Sequence, residues 1–468
     1  MKQPRGLYVC FLGELWDRFT YYGLQSILVL YLMNAFLFSV SRSYAMFGVF
    51  TTLSFCTPIL GGLLIDKFIT RHRSIIIGCS LIILGCLCLI VHKSIYLYPG
   101  LTLIVSGIGL FKPSNATLLG SLYSIENEPL RESGFTILYL GMNAGSVLGP
   151  IIYGLIALKF GLVWGLIVSS IGIGTSLFLY MYYKNLLEVQ NINVSTTLNL
   201  RPHFQSYLLV LIGCILIFLL FVYADFFKIT IWLAMVGVLA YVVYLALQHS
   251  KIERRKLLLL MVLNIFVIFY FACLMQVGSS LMLFVNSQHF EIAGYMIPSA
   301  TFASLEPLFV ILMAPIMTPL WGYLAKIDTL RPVIIRVILS LGLAGLSFEL
   351  FSFSSTLGNI KEILIGIIIG NLLLGAGELC VGPALTSAVT YLAPKDLQGL
   401  FMGIWYFSIA VAGYLGSLLA RLSISKTINQ SESSYHMAFD KIGAMAFIAC
   451  VVLIMLSPFL NRLVRTDN

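Results

Sequence analysis

The chain is a succession of long apolar runs separated by short polar ones. A helix needs about 20 mostly apolar residues to cross a ~30 Å hydrocarbon core. Runs of that kind lie at 19–38 (with a start as early as 7), 45–66, 74–91, 97–123, 134–158, 162–183 and 206–224. They continue at 229–248, 257–285, 298–325, 333–353, 361–392, 398–422 and 439–460. Transmembrane barrels would instead show short segments of alternating polarity. The pattern therefore predicts an all-α polytopic membrane protein with fourteen membrane helices.

Composition excludes a soluble reading. Of 468 residues, 59% are hydrophobic and 10% charged, whereas a soluble domain carries about 25% charged residues. The first run follows two positive charges, as in a secretory signal, but Glu14, Asp17 and Arg18 interrupt it and no small-residue cleavage site follows. It reads as a retained helix. The nine cysteines form no CxxC pair and read as packing residues. Motifs of metal hydrolysis, nucleophilic acyl transfer and nucleotide binding are missing from the sequence, so no enzyme and no cofactor is expected.

Lys and Arg accumulate on the cytoplasmic side of membrane helices. With Lys2 and Arg5 inside and the segments alternating, eighteen Lys and Arg fall inside and eight outside, leaving Arg18 and Lys112 within the membrane. Both termini are then cytoplasmic. The net charge of +9 is a signal of orientation, and no basic stretch is continuous enough to track nucleic acid.

Residues 184–205 are the longest polar interruption, rich in Asn, Ser and Thr and closed by Arg201-Pro202. Two apolar runs and the charged stretch Lys251–Lys256 follow. This divides the chain into a six-helix bundle at 1–183, a linker with two extra helices at 184–256, and a second six-helix bundle at 257–468. The halves echo each other. Gly61-Gly62 leads to Asp66-Lys67 and then Arg71, and Trp321-Gly322 leads to Lys326 and then Arg331. A 6+6 plan of this kind resembles the major facilitator architecture, whose substrate sites lie near the midplane.

An ionisable residue deep in a span is costly and marks function. In the first span Glu14, Asp17 and Arg18 precede Tyr21, Tyr22 and Gln25 at spacings of three and four, on one helix side. Arg18 keeps its charge and pairs with a carboxylate only while that carboxylate is ionised, an arrangement suited to proton coupling; a simple interfacial ion pair is the structural alternative. Lys112 precedes Pro113 in the fourth span, where the missing amide hydrogen favours a kink beside a hydrated cavity. Glu378 lies in the matching span of the second half, so a cation and an anion suit the two ends of a zwitterion. Glu306, before Pro307, is a further buried acid, and Glu349 lies near a span end. All six histidines lie in loops or at span ends, which leaves carboxylates as the proton carriers.

The segment Glu14-Leu-Trp-Asp17-Arg18-Phe19-Thr-Tyr21-Tyr22 closely resembles the ExxERFxYY motif of the proton-coupled oligopeptide transporter (POT) family. Phe111-Lys112-Pro113, Phe135 to Tyr139, and Asn143-Ala-Gly145-Ser146 resemble further segments of that family. So do Gln276-Val-Gly-Ser-Ser-Leu, Pro307-Leu-Phe, Gly377-Glu378-Leu through Pro383, and Met402-Gly403-Ile-Trp405. The extra helix pair resembles the prokaryotic members.

The resemblance implies import of di- and tripeptides with protons, by alternating access, across a bacterial plasma membrane. The peptide would be held between Lys112/Arg18 and Glu378. Carried over by position, Lys112, Arg18 and Tyr22 would receive the peptide carboxylate, Glu378 and Asn143 its amino group, and Trp405 would line a side-chain pocket. Glu14, Asp17 and Arg18 would couple the proton. Four departures matter. Asp17 replaces a Glu; Gln25 and Met275 replace an Arg and a Glu that form an ion pair in many members; Glu306 replaces an Asn beside the amino-group pole; and Phe55 replaces a frequent Tyr. Two roles are open to Glu306: carrying a coupling proton, or favouring peptides with cationic side chains. Two other functions share the fold, a symporter of another small zwitterion or anion and a non-transporting sensor.

Overall fold

A computed structural model of the chain describes residues 3–91, 93–123, 128–161, 163–187, 200–292, 294–325, 331–394, 397–424 and 432–465. The helices in chain order are α1 (Gly6–Phe36), α2 (Val40–Lys67), α3 (Arg71–Ile90), α4 (Ser94–Ser121), α5 (Glu128–Phe160), α6 (Val163–Tyr182), α7 (Lys184–Leu187) and α8 (Leu200–Val222). They continue with α9 (Ala224–Gln248), α10 (Lys251–Leu274), α11 (Ser280–Ser287), α12 (Leu305–Ala325), α13 (Arg331–Ser354), α14 (Ile360–Leu392), α15 (Gln398–Ala420) and α16 (Glu432–Arg465). A two-residue hairpin, β1 (Glu291–Ile292) with β2 (Tyr295–Met296), is the one sheet among the described residues. The chain divides into two compact units, one of residues 1–39 and 49–224 and the other of residues 40–48 and 225–468.

Twelve of the described helical segments are long and apolar enough to cross a membrane. α1 and α8 complete the fourteen helices expected from the hydrophobic pattern. α1 is 31 residues long, but Glu14, Asp17, Arg18 and Gln25 dilute its apolar character. α8 offers a described apolar stretch of only Tyr207–Val222. α1 begins at Gly6, at the earlier of the two starts that the sequence allows, and its charged turn lies within the helix. One boundary differs from the expectation. α8 begins at Leu200, within the stretch expected to be linker, whose residues 188–199 lie outside the described ones.

In lipid, helices gain little from hiding apolar surface from one another, so small residues that let backbones approach do much of the packing. In the first unit, α3 meets α4 through Gly78 and Gly85 against Gly107 and Gly100. A Cβ at Gly107 would lie 2.6 Å from the Gly78 carbonyl oxygen, and one at Gly85 would lie 2.7 Å from that of Gly100. α5 meets α1 through Gly145 and Gly149, where a Cβ would lie 2.8 Å from Cβ of Arg18 and 2.6 Å from the Phe19 carbonyl oxygen, respectively. This contact fixes how α1 presents its charged turn. α4 stays helical through Pro113. Proline has no amide hydrogen, so the Gly109 carbonyl loses its usual partner. Gly61 of α2 closes on that oxygen so tightly that no side chain fits there.

In the second unit, the run expected to be one helix over 257–285 is broken. α10 ends at Leu274, a tight 3-10 turn spans Met275–Gly278, and α11 resumes at Ser280. Polar side chains fix this break. Gln276 is fully buried; its amide donates to the carbonyl oxygens of Ala272 and of Gly416 on α15, both at 2.9 Å, and accepts from the Ser280 hydroxyl at 2.8 Å. Ser279 donates back to the Met275 carbonyl oxygen at 2.9 Å. α12 opens after a 3-10 turn at Ser299–Ser304, with Glu306 in its first turn, where helix dipoles favour an acid. Pro307 follows, at a position whose amide would have no helical partner.

Candidate functional site

In the first unit the sequence-predicted charges meet on α1 and α4. Arg18 Nε donates to Glu14 Oε1 at 3.2 Å, one helical turn away. The other oxygen of Glu14 accepts from Asn115 Nδ2 of α4 at 2.9 Å, and the same amide nitrogen donates to the Cys10 carbonyl oxygen at 3.1 Å. The Tyr180 hydroxyl of α6 donates to Asn115 Oδ1 and also touches the Cys10 thiol. Glu14 is thus held from two sides, by a cation and by a neutral amide that is itself locked in place.

Asp17 differs. It is 0% exposed, and neither carboxylate oxygen has a hydrogen-bond partner among the described residues. Among charges, Lys112 acts on it most strongly, followed by Glu14 and Arg18. Of the two acids on α1, Glu14, four residues before Arg18 and so on its side of the helix, makes the direct contact. The cluster therefore holds two couples of opposite charge, Arg18 with Glu14 by hydrogen bond and Lys112 with Asp17 through space. With all four groups ionised its net charge is zero, which lowers the cost of keeping it out of water.

Lys112 is presented by aromatic rings. Its Nζ lies 5.1 Å from the Tyr21 ring centroid and 5.6 Å from that of Phe55, within the range of cation–π attraction. Tyr21 stacks on Phe50 at 5.6 Å and meets Phe55 edge-on at 6.0 Å. Phe55 offers the π face that Lys112 uses. Tyr22 sits edge-on to Tyr21 at 5.0 Å and within electrostatic range of Arg18. Asn143 of α5 donates to the Tyr139 carbonyl oxygen of its own helix at 2.9 Å.

In the second unit Glu306 of α12 and Glu378 of α14 come together, their carboxyl groups within hydrogen-bonding reach of each other. Glu306 is 8% exposed, and its Oε1 has no hydrogen-bond partner. The contact depends on two glycines of α14. A Cβ at Gly375 would lie 3.0 Å from the Glu306 carbonyl oxygen, and one at Gly377 would lie 2.8 Å from the ring of Tyr270. Tyr270 of α10, fully buried, donates its hydroxyl to the Leu374 carbonyl oxygen at 2.5 Å and lies within electrostatic range of both acids. Trp405 of α15 is buried and meets Phe271 edge-on at 5.7 Å. Among the described residues no cluster of His, Cys, Asp and Glu could hold a metal ion.

Residues 72–433 of the sequence match the POT family. The chain belongs to that family. It is accordingly a transporter and an integral membrane protein rather than an enzyme. The chain is 30% identical to an uncharacterized transporter, YclF, of Bacillus subtilis, over 99% of this chain and 95% of that protein. It is 28% identical to dipeptide and tripeptide permease B of Photorhabdus asymbiotica, over 99% and 97%. Among solved structures, the fold is similar to the crystal structure of a peptide transporter POT mutant in complex with alafosfalin, with a TM-score of 0.86 and 25% identity over 99% of this chain and 96% of that one.

Asn115, Tyr180 and Tyr270 escaped the sequence reading. Asn115 left one usable signal, a lone amide in an apolar helix, since polar groups at membrane depth need partners inside the protein. The two tyrosines carry no such mark, because Tyr is common throughout the chain.

Proposed function

We propose that this POT-family protein is a proton-coupled symporter that imports di- and tripeptides by alternating access. Lys112, Arg18 and Tyr22 receive the peptide carboxylate; Glu378 and Asn143 receive its amino group; Trp405 lines a pocket for a side chain. Glu14, Asp17 and Arg18 carry the coupling in the first unit. Both termini face the cytoplasm of a bacterium, in keeping with the surplus of Lys and Arg on that side.

One observation carries the reading: the ammonium of Lys112 is held against the faces of Tyr21 and Phe55 and has no hydrogen-bonded counterion among the described residues. Asp17 balances its charge through space without occupying its donors. An ammonium kept in this way is disposed to receive an incoming carboxylate. Arg18, by contrast, is held by Glu14 and is released when that acid takes a proton, so that protonation and carboxylate binding favour each other. The permeases among the relatives add weight, since their names state dipeptide and tripeptide transport.

Glu378→Gln in proteoliposomes supplied with dialanine tests the assignment of the poles. Loss of uptake is expected, because the amide carries no charge to pair with the peptide ammonium. Near-normal uptake would refute the amino-group assignment.

A further inference from the structure

Glu306 and Glu378 form a feature that neither residue has alone. Their carboxyls approach within hydrogen-bonding reach of each other, and a proton held by one of them would make that approach a hydrogen bond, since two ionised carboxylates are acceptors only. The groups facing the pair from each packed helix are few. α10 contributes Tyr270, whose hydroxyl is engaged with Leu374. α14 contributes Cys380, two residues beyond Glu378, and Arg336 of α13 lies within electrostatic range of that thiol. α12 contributes Glu306 itself. Glu306 is buried, and its Oε1 has no partner, so one acceptor of the pair stands open.

Resting on the peptide-symport reading above, we infer that Glu306 and Glu378 act as one carboxyl dyad that keeps a single shared proton when the substrate's ammonium docks on it. The charges decide the number. A doubly protonated dyad facing an ammonium sums to +1, an unprotonated one to −1, and a singly protonated one to zero. In surroundings of low dielectric the neutral sum is strongly favoured. The proton enters from the outer medium, sits on the bond between the two carboxyls, and leaves to the cytoplasm when the ammonium departs. No bond other than O–H is made or broken, and one positive charge enters with each amine. The dyad also answers the second departure from the family pattern. Gln25 and Met275 leave no ionisable group at the positions of the usual ion pair, and Glu306 restores a proton carrier to the second unit. Of the two roles open to Glu306, the geometry favours the proton over the cationic side chain.

Infrared difference spectroscopy on the full-length protein in lipid nanodiscs, without peptide and at neutral pH, tests this directly. The wild type is expected to show a protonated-carboxyl C=O band that Glu306→Gln removes, with Glu306→Asn as the second variant should the first fail to fold. Adding dialanine should shift the wild-type band and not abolish it. Identical band intensity in wild type and variant, or loss of the band on adding dialanine, would overturn the shared proton. A lysyl-peptide preference that disappears in the variant while the band is unchanged would likewise overturn it, in favour of a side-chain role. The peptide reading fails separately: a protein that carries the band and loses it in Glu306→Gln, but takes up no dialanine, keeps the dyad and refutes the substrate.

Discussion

Asn115 is the residue whose removal tests the first-unit cluster most sharply. It donates to ionisable Glu14 at 2.9 Å and to the Cys10 carbonyl oxygen at 3.1 Å, and it accepts from Tyr180. Replacing it with Leu keeps the volume and deletes all three interactions. A hydrogen bond to a charged group contributes about 1.5–3 kcal/mol, and stranding a buried hydroxyl costs about 1–3 kcal/mol. The hydroxyl of Tyr180 would retain only the Cys10 thiol, a weak partner, so Asn115→Leu should destabilise the protein by about 3 kcal/mol. Tyr180→Phe removes a single bond and strands Asn115 Oδ1, at about 1–2 kcal/mol. The double variant strands neither group, so its loss should fall short of the sum by about 1–2 kcal/mol, as expected for directly coupled neighbours. Unfolding of the four purified proteins in one detergent, followed by tryptophan fluorescence, measures the cycle. Additive losses would refute the chain from Tyr180 through Asn115 to Glu14.

Other substitutions probe the remaining contacts. Lys112→Gln should abolish dialanine uptake in proteoliposomes while leaving the protein folded by circular dichroism, since the amide keeps the shape and loses the charge. Phe55→Leu should weaken uptake by a factor reflecting about 0.5–2 kcal/mol of lost cation–π attraction, whereas Phe55→Tyr, which keeps the ring, should match the wild type in the same assay. Gly61→Val should fail to yield folded protein on size-exclusion chromatography, because its side chain would collide with the Gly109 carbonyl oxygen that Pro113 leaves without an amide partner.

Hydropathy alone carried most of the fold, because a helix that crosses lipid must announce itself as some twenty apolar residues. It failed where polar side chains are satisfied by tertiary contacts. The charged turn of α1 reads as an interruption until Asn115 and Arg18 are seen to close on Glu14. The 3-10 turn at Met275–Gly278 is hidden inside an apolar run, since the bonds of Gln276 to Gly416 and of Ser280 to Gln276 that fix it depend on α15 and on local geometry. The first-unit site residues were legible as charges at membrane depth. Their division into couples was legible only in part: the i,i+4 spacing joins Glu14 to Arg18, whereas the pairing of Asp17 with Lys112 depends on how α4 packs against α1. The contact of Glu306 with Glu378 joins helices far apart in sequence and depends on Gly375 and Gly377, whose role is visible only once α12 and α10 are packed against them.

The central claim is proton-driven peptide transport, and one measurement addresses it most directly. Purified protein in proteoliposomes should accumulate radiolabelled dialanine above its external concentration when the lumen is made alkaline relative to the bath. A protonophore should return the internal level to equilibrium. Accumulation that persists with the gradient collapsed, or the absence of any dialanine uptake in either condition, would contradict the account.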